Sequence, residues 1–419
     1  MIPDVSRSPE DPGSIFVSAD AFTDLDAWHA TAAKFRQEAP IHRVETEGYV
    51  PFWALTRWQD VWDVERQPEL FPNTLHSVLF PTAMYEQQAA LGQSIKSLVQ
   101  MDDPEHKAYR RVTNDWFKPA NLRRTLEARI GELATQFIDR MEARGGECDF
   151  AREIGLLFPL HVIMTILGVP EEDEPKMLLL TQRLFGPEDP EFSGTDGIET
   201  SVKTTMEFFE YFGALSEARR AEPRDDIASV LANSTVDGEP MGDLERLGYY
   251  MIVATAGHDT TSSSLNTGLE QLCRHPDQLR RLQEDPSGID LAVDEIIRFS
   301  TPVRHFLRYA TADCEVAGQK IPKGDAVLLS YLSANRDETK FPDPERFDTT
   351  RENAGDHLAF GTGIHFCLGA HLARLELRLF FKELLSRLEH IELAGPPTYV
   401  ASNFVGGPKN LPVRYRFRA

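Results

Sequence analysis

Between residues 121 and 143 the chain reads NLRRTLEARIGELATQFIDRMEA, with leucine, isoleucine, phenylalanine and methionine returning every three or four positions. That period places the apolar side chains on one face of a helix. The same spacing recurs in VKTTMEFFEYFGALSEARRAE, residues 202–222, and the chain from 104 to 300 is predicted to be mostly helical. One helix is predicted to run from Asp243, a suitable N-cap, towards Pro276, a length of about 30 residues that exceeds the usual globular helix. Its middle is odd. After the apolar GYYMIVATA come a glycine, a histidine, an acid and five successive hydroxyl residues, Thr260 to Ser264. Such side chains compete for backbone hydrogen bonds and weaken a helix.

Strand-like runs are short: PIHRVE at 40–45, YVPFWALT at 49–56, and CEVAGQKIPKGDAVLLSYL at 314–332, with turns signalled at Ala317-Gly318 and Lys323-Gly324. The proline-bearing stretch 335–357 reads as irregular. A strong helix is predicted from near Leu368, with Leu372, Leu375 and Leu379 on one face. Residues 1–25 read as a loose polar lead-in, and the acidic, Gly/Pro-rich 186–200 as a mobile lid or disordered segment. No linker divides the chain. The expected architecture is mainly α with a smaller β region (α+β), one domain over 1–419.

Composition narrows the function classes. With 41% hydrophobic and 26% charged residues the chain has globular proportions. It opens with no basic segment leading into an apolar run, so no signal peptide is expected, and no stretch reaches the ~20 apolar residues of a membrane span. A cytoplasmic protein without a membrane anchor is the expectation. The net charge of −22 argues against nucleic acid as a partner. Cys148, Cys273, Cys314 and Cys367 form no CxxC pair and are expected to be free thiols.

The run LAFGTGIHFCLGAHLARLELRLF carries the most chemistry. Cys367 stands just before a helix start, where free backbone amides and the helix dipole favour a thiolate and should lower the thiol pKa. Gly361, Gly363 and Gly369 let the backbone turn tightly beside something flat and bulky. On these residues alone three readings stand: a buried structural cysteine, a zinc site using His365, Cys367 and His371 that lacks a fourth ligand, or a haem thiolate.

Phe360-Gly361-x-Gly363-x-His365-x-Cys367-x-Gly369 resembles the haem-binding loop of the cytochrome P450 family, the haem-thiolate monooxygenases. The resemblance implies that family's fold, a triangular prism with a long central helix crossing the haem. It implies haem b, with Cys367 as the metal ligand, Phe360, Gly361 and Gly369 against the cofactor, and His365 donating to a haem carboxylate. A thiolate ligand favours O–O cleavage. Other motifs follow in the family's order. Glu295 and Arg298 look like its ExxR charge network, with Arg346 of PDPERF as the implied third partner. His106 and Arg110 resemble its HxxxR, and with Arg308 are implied to pair the haem carboxylates. Ala256-Gly257-His258-Asp259-Thr260-Thr261 resembles its [A/G]-G-x-[D/E]-T-[T/S], which implies that Ala256 leaves room over the haem while Asp259 and Thr260 form a proton relay. Ser262–Ser264 read as capping or kinking residues.

Family position points to Val303, Phe306, Phe404, Val405 and the 74–100 loop as the substrate pocket. Several stretches look closest to the terpineol-type members, which act on small monoterpene or alkyl-aromatic hydrocarbons. The implied reaction inserts one atom of O2 into an unactivated C–H bond. Epoxidation, sulfoxidation or a haem-based binding or sensor role are the alternatives, and the relay residues argue against a pure binder. The chain has no flavin or dinucleotide segment, so electrons must come from elsewhere; an acidic ferredoxin with an NAD(P)H-dependent ferredoxin reductase is expected. Its dock would be two basic patches: Lys107, Arg110, Arg111, Lys118, Arg123 and Arg124, and Arg374, Arg378, Lys382 and Arg387. A monomer is expected.

Overall fold

The structure is a computed structural model that describes residues 12–90, 96–185 and 197–418. Residues 186–196, most of the predicted lid, and 1–11 of the lead-in lie outside the described residues. The helices that shape the site are α1 Leu25–Glu38, α2 Trp58–Glu65, α3 Glu105–Asn114, α4 Pro119–Thr125, α5 Glu127–Ala143, α6 Leu157–Leu167, α7 Gly197–Ala221, α8 Asp243–Ala256, α9 Asp259–Arg274, α10 Ile289–Ser300 and α11 Ala370–Arg387. The strands are β1 Ile41–Val44, β2 Phe52–Leu55, β3 Glu147–Asp149, β4 His305–Tyr309, β5 Ala326–Ser330, β6 Leu388–Leu393 and β7 Pro412–Phe417.

Helical periodicity translates directly into packing. In α5 the residues at three- and four-residue spacing, Ile130, Leu133, Ala134, Phe137, Ile138 and Met141, are the buried ones. The run predicted from 121 bends at Leu126, so α4 and α5 are separate helices. One sheet runs β1-β2-β5-β4, with β5 parallel to β2 and antiparallel to β4. Every residue of β5 is buried, which explains its unbroken apolar sequence. A second sheet, β6-β7-β3, lies beyond the end of α11.

The single long helix predicted from Asp243 is two helices. Gly242 holds the cap position and Asp243 lies in the first turn, where a negative charge suits the helix N-terminus. The break falls at Gly257-His258. The His258 ring is fully buried, and its Nε2 lies 3.0 Å from the Leu156 carbonyl. The Thr260 hydroxyl donates back to the Ala256 carbonyl at 2.7 Å. Gly257 has no side chain for a spatial reason: a Cβ there would come within 2.8 Å of Ile163 Cδ1. The serines serve packing. Ser263 Oγ donates to the Gly406 carbonyl at 2.6 Å, and Ser264 Oγ meets Ser300 Oγ of α10 at 3.1 Å.

The lead-in is not loose where it is described. Pro12–Phe16 and Ala19–Thr23 form short turns that bury Phe16, Val17 and Phe22. Phe22 stacks on Trp28 with ring centroids 5.5 Å apart, and the Arg304 guanidinium lies over the Phe22 ring, 4.3 Å from its centroid. The apolar residues spaced among the polar ones outweigh the segment's polar average.

A buried histidine joins β4 to two loops. His305 Nε2 accepts the Leu79 N–H at 3.0 Å, and Nδ1 lies 3.0 Å from the Asn403 carbonyl. Burial pushes its pKa from 6.5 down to about 4. Between those values the unfolded chain binds a proton at this residue that the folded chain does not, so stability is full above pH 6.5 and falls as pH drops towards 4. Urea unfolding at about pH 7 and pH 5 should therefore show the wild type losing about 2 kcal/mol more than His305→Gln. Equal losses in the two proteins would contradict this.

Candidate active site

Helix α10 places Glu295 and Arg298 one turn apart, both fully buried. Arg298 donates from Nε and Nη2 to the two carboxylate oxygens at 2.7 and 2.8 Å, a bidentate pair. Its remaining donors reach the Asn335 and Pro344 carbonyls at 2.7 and 3.1 Å. The third side chain is Arg351, whose Nε donates to Glu295 Oε1 at 3.2 Å. Arg346, the expected partner, is exposed and contributes only its carbonyl, 2.9 Å from Arg351 Nη2. The turn at 342–346 wraps its carbonyls around the Arg351 guanidinium, and that curvature directs the Arg346 side chain outward.

The cysteine loop is held from below by an acid that no local pattern identifies. Glu65, at the end of α2, accepts the Thr362 N–H at 2.9 Å, the Tyr331 hydroxyl at 2.5 Å and Arg308 Nη2 at 3.4 Å. Burial raises the Glu65 pKa, and the three donors oppose it. Gly363 adopts φ +66° and passes so close that a Cβ would lie 2.9 Å from the Glu65 carbonyl oxygen. Only glycine meets both demands. Helix α11 starts at Ala370, two residues beyond the predicted start. The Gly369 and Ala370 amides do point at the Cys367 sulfur, and Arg110 and Arg374 add positive charge. Burial nonetheless outweighs them and holds the thiol above its ordinary pKa, the reverse of the expected lowering.

A cavity of about 840 Å³ brings the predicted residues together. Cys367, Phe360, Gly361 and Gly369 line it from the cysteine loop, and Ala256, Asp259 and Thr260 from the helix break. Val303, Phe306, Phe404 and Val405 form an apolar wall, with the Phe306 and Phe404 rings 5.6 Å apart and Val303 bridged to Val405. His106, Arg110, Arg308 and His365 converge at its edge. The His106 and His365 rings are 4.3 Å apart, and burial, with the His365 and Arg110 charges, takes His106 down to about 4. His365 Nε2 is buried without a hydrogen-bond partner among the described residues, 4.0 Å from Asp102. Asp102, unnoticed in the sequence, also accepts the Asn73 N–H at 2.9 Å. Burial works against its charge, but His365 and Asn73 hold its carboxyl below the usual range.

At the break, Asp259 Oδ1 lies 3.2 Å from His258 Nδ1, while Oδ2 is buried without a partner among the described residues. Burial raises the Asp259 pKa, and His258 pulls it the other way. A second buried acid in the lining, Glu376 of α11, is held well above the ordinary range by burial alone.

The two basic patches fare differently. Arg374 is bonded to Asp294 at 2.7 Å, Arg378 to Glu127 at 3.3 Å, and Arg387 to Asp139 at 2.7 Å, so most of that patch is neutralised. Lys107, Arg111 and Arg123 are exposed and form no ion pair among the described residues. They sit by the cysteine loop, because Arg110 Nη2 donates to the Phe366 carbonyl at 2.6 Å and α4 packs on α11. Phe366 itself is exposed there.

One thiol with backbone donors, two arginines and two histidines with an orphaned ring nitrogen suit a flat, metal-bearing group that carries carboxylates. Comparisons agree. The family model described as "Cytochrome P450" matches residues 195–288 and 289–411. The chain is similar to "Cytochrome P450-terp" of a Pseudomonas species, with 43% identity over 97% of this chain and 98% of that protein. It is 34% identical to "Linalool 8-monooxygenase" of Pseudomonas putida, over 92% of this chain and 95% of that one. The solved structure of CYP108D1 from Novosphingobium aromaticivorans superposes with a TM-score of 0.91 at 42% identity, covering 98% of this chain and 99% of that one.

Arg351→Ala should cost about 3–5 kcal/mol in urea unfolding, since it strips a partner from a buried carboxylate and orphans three carbonyls. Arg346→Ala should stay within about 0.5 kcal/mol of wild type. The opposite ranking would restore Arg346 as the third partner.

Proposed function

The chain belongs to the cytochrome P450 family, and from that membership we propose that it hydroxylates an unactivated C–H bond of a compact hydrocarbon, a monoterpene or alkyl-aromatic, with electrons from an acidic ferredoxin. It is a haem-dependent monooxygenase with the P450 fold. Among the described residues no helix is long and apolar enough to cross a membrane. The observation that carries the substrate reading is the wall of Val303, Phe306, Phe404 and Val405, which offers shape and apolar contact but no charge. The names of the terpene-related relatives point the same way.

Cys367 would ligate the iron, and coordination would deprotonate the thiol that burial otherwise protects. Arg110, Arg308, His106 and His365 would hold the haem carboxylates. Bound there, haem supplies the activation of dioxygen. Asp259 and Thr260 govern protons. Burial favours the acid form of Asp259, and its unpartnered Oδ2 is the atom from which a proton can leave. Thr260 spends its own hydrogen on the Ala256 carbonyl, so Oγ1 offers lone pairs that receive a hydrogen bond and order a water beside it. Acid and acceptor are adjacent in sequence at the helix break, a positioned relay for general-acid work.

With monoterpenes and alkylbenzenes as substrates the wild type should yield alcohols. Thr260→Ala should keep consuming reductant but lose product by about a hundredfold or more, releasing peroxide instead. Full coupling in that variant removes the relay assignment, and no alcohol from the wild type on any of these compounds removes the substrate class.

The exposed cations Lys107, Arg111 and Arg123, which form no ion pair among the described residues, support docking of an acidic electron donor beside the cysteine loop. Arg111→Glu should slow reduction roughly tenfold at low ionic strength and flatten its salt dependence. Arg374→Glu does not test docking, because it breaks the bond to Asp294. Stopped-flow reduction unaffected by Arg111→Glu would contradict the dock.

A further inference from the structure

The apolar wall is built by three segments distant in sequence: residues 77–80, residues 302–306 at the start of β4, and the loop 402–408. Phe80, Phe306 and Phe404 face the cavity, one from each. Backbone bonds tie the β4 segment to each of the other two. Leu307 N–H donates to the Ser77 carbonyl at 2.8 Å, Arg304 N–H to the Phe404 carbonyl at 2.9 Å, and Gly406 N–H to the Pro302 carbonyl at 3.1 Å. From the helix break side, Ser263 holds the Gly406 carbonyl at 2.6 Å.

One side chain touches all three segments. His305 stands on β4 next to Phe306, and strand alternation turns it to the face away from the cavity. It receives the Leu79 N–H on Nε2 and meets the Asn403 carbonyl with Nδ1, each at 3.0 Å. Asn403 Nδ2 donates to the Leu79 carbonyl at 3.3 Å and closes a triangle. His305 and Asn403 are 2% and 1% exposed, so water does not substitute for either bond. A carbonyl requires a donor and an amide N–H requires an acceptor, so only the neutral ring with hydrogen on Nδ1 satisfies both.

We propose that His305 is a specificity-determining positioning residue: it sets the shape of the substrate space by locking Phe80, Phe306 and Phe404 in one relative register. The proposal rests on reading this wall as the substrate side of the cavity. His305 touches no substrate itself. It decides which small molecules fit by deciding where three rings stand.

The test uses haem-loaded protein with His305→Phe, which keeps a ring and neither bond, and His305→Gln, which keeps one donor and one acceptor. Amide hydrogen exchange reads the lock in residues 77–80 and 402–406, with 360–369 as the reference. The ratio of dissociation constants for 1-phenylimidazole and 4-phenylimidazole, two iron-binding probes of different shape, reads the cavity without turnover. In His305→Phe both wall segments should exchange faster, the reference should not, and the ratio should change at least about threefold, as displacement of contacts by a fraction of an ångström allows. His305→Gln should recover most of both. Asn403→Ala, which removes one side of the triangle, should move both readouts in the same direction and decides the matter if His305→Phe does not load haem. Faster exchange with an unchanged ratio overturns the specificity role. Unchanged exchange overturns the lock itself. A wild type that oxidises no hydrocarbon sinks the proposed substrate class and leaves these two readouts intact.

Discussion

A carboxylate and a guanidinium without water around them, Glu295 and Arg298, are the constraint from which the site is built. Taking both charges out of water costs several kcal/mol each, which is recovered only if every donor and acceptor is used. The pair therefore draws in the Asn335 and Pro344 carbonyls and Arg351, and through Arg351 the carbonyls of Pro342, Asp343 and Arg346. A stretch with almost no regular secondary structure is ordered by these side chains together with its own backbone turns. From it Asn335 Oδ1 accepts the Leu358 N–H at 2.7 Å at the entrance to the cysteine loop, and Asp337 Oδ2 accepts the Trp58 N–H at 2.8 Å at the start of α2. Helix α2 ends in Glu65, which holds that loop from the other side.

Burial acts in the same direction on an acid at each face of the cavity. At Cys367 it opposes the charged form, and the backbone amides and arginines only partly compensate. At Asp259 desolvation likewise raises the pKa, against the pull of His258, on a carboxyl whose Oδ2 has no hydrogen-bond partner among the described residues. The helix break makes that arrangement possible. There the His258 ring meets the Leu156 carbonyl, and the Thr260 hydroxyl bonds back to Ala256, as threonines also do within regular helices.

Whatever depends on local periodicity or on tight spacing was legible in the sequence: the face of α5, the short strands, the cysteine loop and the residues that gather around the cavity. Whatever depends on contact between distant segments was not. Glu65 meets Arg308 across most of the chain, and nothing in the residues around either predicts the other. Arg346 and Arg351 are both arginines in one irregular loop, and only the direction of the turn between them decides which faces inward. The hydroxyl run was visibly unhelical, but its effect is a single break upstream of the serines, which themselves pack inside an intact α9. The lead-in misled because its average polarity hides Phe16, Val17 and Phe22.

Those last residues have an architectural consequence. The turn Ala19–Thr23 packs against the strand Thr398–Tyr399, and Phe22 lies under Arg304, whose guanidinium also reaches the Ser402 carbonyl. An early described segment and one of the latest are thus fastened to each other, directly and through Arg304. Trimming the chain before Leu25 would remove one jaw of that clasp, and the loss would fall at once on Trp28 of α1 and on Arg304.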